Sequence, residues 1–504
     1  MQSGGPPMKH RETVIVIGGG IAGIAVALRL AENGFPVTVI EKRDLLGGRA
    51  SSFPLREADR SDTESSAEGD SPGAGDGAAA FVDNCQHVLM RCCVNLLDFY
   101  ERIGAKDAVQ FYDHFSFVDT QDRWSTLGAS RWLPAPLHLL PSLFRFRSMT
   151  PLDKLSIAYG MARMVRLSAR EQQDHQSTFG TWLRRNWQTP NAVECFWRPV
   201  IVSALNEEPD NTAAAYAFQL FRQAFLRSRH AYEMGLPKMG LAEIYSTTGI
   251  RALEEKGVRV EQGLRVGRIV IENGKAAGVC IGEEFHPAGV VVSAVPHHAV
   301  NNMLDDGARA LAPFKDLSSI GTSPITGIHL WFDRPVTDLP HVALLGREMQ
   351  WIFTKNEDFG TTSASSPPAG PGATGSYLGL VVSASRNLTG RSQAEIIAEA
   401  LAAVHAVFPR SREAQLVRQV VIREKKATFS PGPGVERLRP APRTPISGLY
   451  LAGDWIRTGW PATMEGAVRG GYLAAEAILH DHGMEADLLC PELPADLLPR
   501  LLGL

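Results

Sequence analysis

VIVIGGGIAGIAVAL, Val14 to Leu28, is the stretch whose reading decides the fold. A β-branched run ends in glycines and an apolar-periodic segment follows, so the pattern is strand, tight turn, helix. Gly18, Gly20 and Gly23 form G-x-G-x-x-G within it. The first glycine permits the turn, the second lets bare backbone approach a pyrophosphate, and the third lets helix pack close on strand. Ile21 and Ala22 open the helix, where free N–H groups and the positive end of the dipole favour phosphate. A second strand, PVTVIEK, completes a βαβ unit and carries Glu41, eighteen residues after Gly23, with Lys42 beside it. A carboxylate at that place accepts from the ribose of an adenosine and argues against a phosphorylated ribose, hence against NADP. The bland alternative is a glycine turn followed by an exposed glutamate. The run is too short to span a bilayer, and no small-residue cleavage pattern follows it.

Two further stretches repeat the logic. In KRDLLGGRASSF, residues 42–53, Gly47-Gly48 precede Arg49, offering bare backbone and a fixed cation to a pyrophosphate or flavin edge. In LYLAGDWIRTGWPATMEGAVRGG, residues 449–471, a strand ends at Gly453-Asp454, whose carboxylate suits a ribityl hydroxyl. A helix then starts near Met464-Glu465-Gly466 and aims N–H groups at an anionic acceptor such as the N1/O2 edge of a reduced flavin.

Bulk composition bounds the rest. A chain of 504 residues is long for one core, which predicts two or more domains. Its 51 basic residues against 54 acidic ones exclude a general nucleic-acid binder. Six unevenly spaced cysteines make no disulfide framework and point to a reducing, cytoplasmic setting. Residues 1–11 read as a loose tail, 56–80 as a disordered, low-complexity insertion, and 361–375 as a second such loop. Residues 86–235 read as largely helical, 258–282 as short alternating strands with an Asn273-Gly274 turn, and 301–440 as mixed.

DNCQHVLMRCCVN, residues 83–95, gathers Cys85, His87, Cys92 and Cys93. Adjacent cysteines diverge on a helix and no second ligand pair lies near, so the spacing predicts no metal. Asp83, Asn84, Gln86 and His87 read instead as part of a wall, although His87 could equally satisfy a backbone carbonyl. RWLPAPLHLLPSLFRFRSMTPLDKL, residues 131–155, sets Trp132, Phe144 and Phe146 among Arg131, Arg145 and Arg147. Apolar anchors beside cations suit a lipid headgroup boundary, and a core helix with surface arginines is the competing reading.

Taken together, the GxGxxG unit with GGR, the central strands around Val266 and the closing GD…MEGA resemble the FAD-dependent amine oxidase and carotenoid desaturase superfamily. VDNCQHVLMRCCVNLLDFYERIGA and the 449–471 stretch are similar to its squalene-associated branch, the hydroxysqualene dehydroxylases; Cys85 departs from that pattern, where many relatives carry glycine. The resemblance implies an α/β fold: a discontinuous Rossmann-like FAD-binding domain, 12–90, 236–300 and 445–485, with an inserted α+β substrate domain, 91–235 and 301–444. It implies FAD held by Gly18, Gly20, Ile21, Ala22, Gly23, Glu41, Lys42, Gly48, Arg49, Val266 (backbone to the adenine), Gly453, Asp454, Met464 and Glu465. It further implies reduction of hydroxysqualene to squalene, with Asp83 and His87 as candidate proton donors. Rivals are a carotenoid desaturase or amine oxidase on the same fold, and a flavin-binding scaffold without turnover. A polar, acid-bearing wall near DNCQH would favour the enzyme; a purely apolar tunnel would favour a scaffold or plain desaturase. The expected setting is cytoplasmic and peripheral to a membrane, with association to upstream squalene-pathway enzymes.

Overall fold

A computed structural model describes residues 11–55, 81–355 and 375–504; the insertion read at 56–80, most of the 361–375 loop and nearly all of the N-terminal tail lie outside them. The βαβ unit is present as strand Val14–Ile17, helix Ile21–Glu32 and strand Val37–Ile40. Strands Arg259–Glu261, Val290–Ser293 and Leu449–Leu451 join it in a five-stranded sheet. All four ladders are parallel. Parallel strands are covered on both faces, and Val14–Ile17 and Val290–Ser293 are accordingly buried along their whole length.

Register decides where a ligand can sit. Glu261, Ile40, Ile17, Ser293 and Leu451 form one row across the sheet. The residues that follow, among them Glu41, Gly18 and Ala452-Gly453, therefore leave the sheet together at its carboxyl edge. The strand order runs outward from Val14–Ile17 in both directions, which opens a crevice at that edge. The helix Met464–Asp481 packs on Ile21–Glu32, and a Cβ at Gly471 would stand 2.6 Å from the Ala22 carbonyl oxygen. Gly470 is as tight, with its Cβ position 2.2 Å from the Gly453 oxygen. This glycine pair, costly inside a helix, is what admits the close approach.

The alternating segment forms the hairpin Val266–Glu272 with Lys275–Ile281, and Asn273 and Gly274 both have positive φ, 50° and 76°. That is the backbone a two-residue turn needs to match strand twist.

One expectation fails. Residues 86–235 are not largely helical from the start, because His114–Val118 and Trp124–Gly128 are strands in a seven-stranded sheet with Leu416–Phe429, Thr322–Phe332, Ser376–Ser383, Trp351–Lys355 and His341–Leu344. HFSFV alternates with period two, burying Phe115 and Phe117, and its partner strand His341–Leu344 lies far downstream. Helices dominate only after Leu140.

Candidate active site

The glycine turn is built as its spacing requires. Gly18 has φ +104°, and a Cβ at Gly23 would fall 1.9 Å from the Gly18 carbonyl oxygen, so only glycine closes the helix onto the strand. The second glycine pair is locked to the first: Gly47 N–H donates to the Gly19 carbonyl at 2.9 Å, and a Cβ at Gly48 would stand 3.0 Å from Gly20 Cα. Glu41 is buried and accepts from the amides of Gly19 (2.7 Å) and Arg43 (3.0 Å). Each oxygen keeps lone-pair capacity for a further donor.

Gly18, Gly20, Ile21, Ala22, Glu41, Lys42, Gly48, Arg49, Val266, Gly453, Asp454, Met464 and Glu465 converge on one cavity of about 860 Å³. Gly23 stands behind it as the closing contact. Arg49 binds Asp454 directly and donates to the Ala427 carbonyl at 3.1 Å, tying the GGR loop to the closing strand and to the large sheet. Thr463 caps the helix that follows by accepting from Gly466 N–H at 3.0 Å, leaving the amides of Met464 and Glu465 at the cavity.

The Glu465 side chain does something the sequence did not suggest. It turns away and caps the helix Val94–Arg102, accepting from Asn95 Nδ2 and Leu96 N–H, both at 2.7 Å. Burial pushes its carboxyl up to about 7 against those bonds. Only its backbone serves the cavity.

The wall from DNCQH needs a correction. Asp83 does not reach the cavity. Its carboxylate pairs with Lys355 Nζ at 3.2 Å and accepts from Ser52 Oγ (2.7 Å) and Leu241 N–H (3.0 Å), with both charges almost wholly buried. Burial alone would raise it, but the Lys355 ammonium and these bonds hold it below the usual carboxylate range. Asp83 is thus ionised and no proton donor, nor does it bond His87. His87 does line the cavity, and burial lowers it to about 4, so it stands neutral. The Asn84 amide is oriented by its Nδ2, which donates to the Arg49 carbonyl at 2.7 Å, and by its Oδ1, which accepts from Cys85 N–H at 3.1 Å. His87 Nε2, 2.9 Å from that Oδ1, therefore carries the hydrogen.

A residue that sequence reasoning missed completes this wall. Glu424 lines the cavity and accepts from Asn84 Nδ2 at 3.4 Å. Burial raises its carboxyl, opposed in part by Asn84, Arg43 and Arg49. REKKATF carries no motif that would single it out. Cys85, 3.5 Å from His87 Nε2, is a protonated wall residue, its thiol pushed up to about 12 by burial. Among the described residues, no three His, Cys, Asp or Glu side chains converge on a metal position.

Beyond the polar wall the lining is apolar and aromatic: Phe115, Phe117, Leu127, Val200, Trp351 and Phe353. The basic–aromatic segment lies just outside this end. Trp132 and Phe144 are 91% and 53% exposed, whereas Phe146 is 3% exposed and packs on Phe117 with ring centroids 5.2 Å apart. Phe146 is core, and is withdrawn as a surface anchor.

The cradle fits FAD: a backbone-only approach for the pyrophosphate, a buried acceptor for the ribose, and helix amides at the far end. The model of the flavin containing amine oxidoreductase family matches residues 21–479. The chain belongs to that family. Its cofactor is FAD and it is an oxidoreductase. Relatives of this flavoprotein include the 15-cis-phytoene desaturase of Synechococcus elongatus, 24% identical over 92% of this chain and 95% of that one. An oxidoreductase from Methanosarcina mazei shares the fold with TM-score 0.66 at 18% identity, over 93% of this chain and all (100%) of that one. A putrescine oxidase bound to putrescine superposes with TM-score 0.64 at 15% identity, over 93% and 99%. Among the described residues of the flavoprotein no helix is long and apolar enough to cross a membrane.

Proposed function

We propose that this flavoenzyme reduces an allylic isoprenoid alcohol, hydroxysqualene, to squalene. The observation that carries the reading is the contrast within the cavity: an apolar, aromatic chamber meets a polar wall of Asn84, His87 and Glu424 beside the flavin cradle. A long hydrocarbon needs the chamber, and removal of a hydroxyl needs an acid at one point in it.

Bound FAD supplies two-electron chemistry, taking up or giving up a hydride equivalent. The chain does the rest. Glu41 holds the ribose, the Gly18–Ala22 turn and Arg49 hold the pyrophosphate region, and Asp454 with the amides of Met464 and Glu465 fix the other end. Trp351 and Phe353, stacked at 5.6 Å, and Phe117, 6.3 Å from Trp351, exclude water and offer π faces to a substrate that becomes cationic as its hydroxyl leaves.

Carotenoid desaturation is the second reading, favoured by the similarity to a 15-cis-phytoene desaturase. It runs in the oxidative direction on the same fold. Product analysis separates the two. Reduced, anaerobic holoenzyme should convert hydroxysqualene to squalene, and oxidised holoenzyme should leave phytoene unchanged; the reverse outcome gives the desaturase.

The reading includes a lipid partner, since the substrate must enter from a bilayer. Helix Pro151–Val165 turns Leu152, Leu155 and Tyr159 to solvent, and Tyr159 packs on the exposed Trp187 at 5.6 Å. Lys154 Nζ bonds the Phe144 carbonyl at 2.7 Å, joining this face to the preceding helix. Residues 131–187 hold nine basic and three acidic side chains in a chain whose net charge is −3. An apolar face in a basic surround fits an anionic bilayer, and in the same segment Phe146 packs on Phe117, which lines the cavity.

A further inference from the structure

Arg423, Glu424, Lys425, Lys426, Ala427 and Thr428 all line the cavity, although a regular strand turns only alternate residues to one side. The reason is an irregularity in the ladder between Leu416–Phe429 and Thr322–Phe332. Ile325 pairs with Glu424, but Ser323 pairs with Thr428, so Lys425, Lys426 and Ala427 stand opposite Pro324 alone. Proline has no N–H to give the ladder, and the strand bulges there. The paired Ile325 and Glu424 face the cavity by ordinary register, and the bulge that follows brings Lys425, Lys426 and Ala427 to the same side, where the Ala427 carbonyl takes Arg49.

Four acidic residues line the cavity among the described residues: Glu41, Glu424, Asp454 and Glu465. Glu41 accepts from the Gly19 and Arg43 amides at the ribose end of the cradle, Asp454 is paired with Arg49, and Glu465 caps another helix. Glu424 is held most loosely of the four, by the Asn84 amide at 3.4 Å. The charged and titratable groups around it are Arg43 and Arg49 from the cradle, Cys85 and His87 from the wall, and Arg423, Lys425 and Lys426 on its own strand.

We propose that Glu424 is the proton donor of the reaction, faced into the cavity by its register with Ile325 and oriented by Asn84. This rests on the reading of the protein as an alcohol-reducing flavoenzyme. The Glu424 O–H bond breaks as the allylic C–O bond breaks, and water leaves. The carbon then accepts hydride from reduced flavin, which is oxidised by two electrons, and solvent returns the proton to Glu424. Desolvation by the apolar chamber favours the protonated carboxyl before turnover.

The test is flavin reoxidation in single turnovers of reduced holoenzyme with hydroxysqualene across pH, for wild type, Glu424→Gln and Glu424→Asp. A parallel infrared titration of the carboxyl band uses oxidised holoenzyme labelled at glutamate. Wild type should be fast at low pH and slow as pH rises through one ionisation. Glu424→Gln should lose that limb and fall about 100-fold, within the usual range for a general acid. Glu424→Asp should recover part of the rate, and Glu424→Gln should remove one of the infrared bands titrating above the ordinary glutamate range while that of Glu465 persists. Squalene formation with undiminished rate in Glu424→Gln, or the same elevated carboxyl bands in wild type and Glu424→Gln, overturns Glu424 alone. No squalene from wild type overturns the reaction and the donor together.

Discussion

Glu41 shows how far a single side chain can be read in advance. Its place after the second strand follows from local turn chemistry, and the structure puts it in the cavity with both oxygens already held by amides. Glu41→Ala removes the ribose acceptor, and reconstitution of apoprotein should show FAD bound more weakly by about 10- to 100-fold, the loss of roughly 1.5–3 kcal/mol of charge-assisted hydrogen bonding. Asp83 was legible as important but not in its role, because its partner Lys355 is distant in sequence. Lys355→Met should destabilise the fold by about 3–5 kcal/mol, since it leaves a buried charge unpaired. The sign with pH follows. Asp83 is held below its ordinary value, so its pairing contributes fully at neutral pH and is lost as pH falls through the folded-state value. Thermal melts of the holoenzyme between neutral pH and pH about 3 should therefore show the gap between wild type and Lys355→Met closing with acid. A gap constant with pH would contradict the ion-pair account. Glu424 was illegible, because its place on the cavity face depends on pairing with Ile325 across a ladder between distant strands.

Elements were readable where their pattern is local and misread where it is not. The βαβ unit, the Asn273-Gly274 hairpin and the closing helix each announce themselves by period and turn residues. Strand His114–Val118 does not, because its parallel partner lies far along the chain. Helix Pro151–Val165 starts with a capping box, Thr150 and Asp153 accepting from each other's amides, yet it turns Leu152 and Leu155 outward. Phe144 and Phe146 stand before it two residues apart, and nothing local told which of them would meet solvent, so Phe146 was taken for an anchor. Trp132→Ser with Phe144→Ser and Leu155→Ser should cut co-flotation with anionic vesicles severalfold, leave FAD content unchanged, and leave weak binding to neutral vesicles. High salt should weaken wild-type binding through screening of the arginines. Unchanged flotation would remove the bilayer as occupant, and wild-type dimers that the substitutions dissociate would assign the face to a second copy of the chain.

At the scale of the whole molecule, two sheets meet at one cavity. The five-stranded parallel sheet brings the cradle to its carboxyl edge, and the seven-stranded sheet brings Phe117, Trp351 and Glu424 to the other side. The cofactor was readable because phosphate and ribose binding impose fixed spacings on the chain. The reaction was not, because an apolar chamber with one acid is assembled from segments scattered between Asn84 and Glu424 and carries no motif. The central claim is hydride delivery to an allylic carbon in that chamber. It is tested most directly by reducing the holoenzyme anaerobically in deuterium oxide, mixing it with unlabelled hydroxysqualene, quenching after one turnover and locating the label. The account predicts squalene carrying one deuterium at the former carbinol carbon; squalene without deuterium there, or no squalene at all, would contradict it.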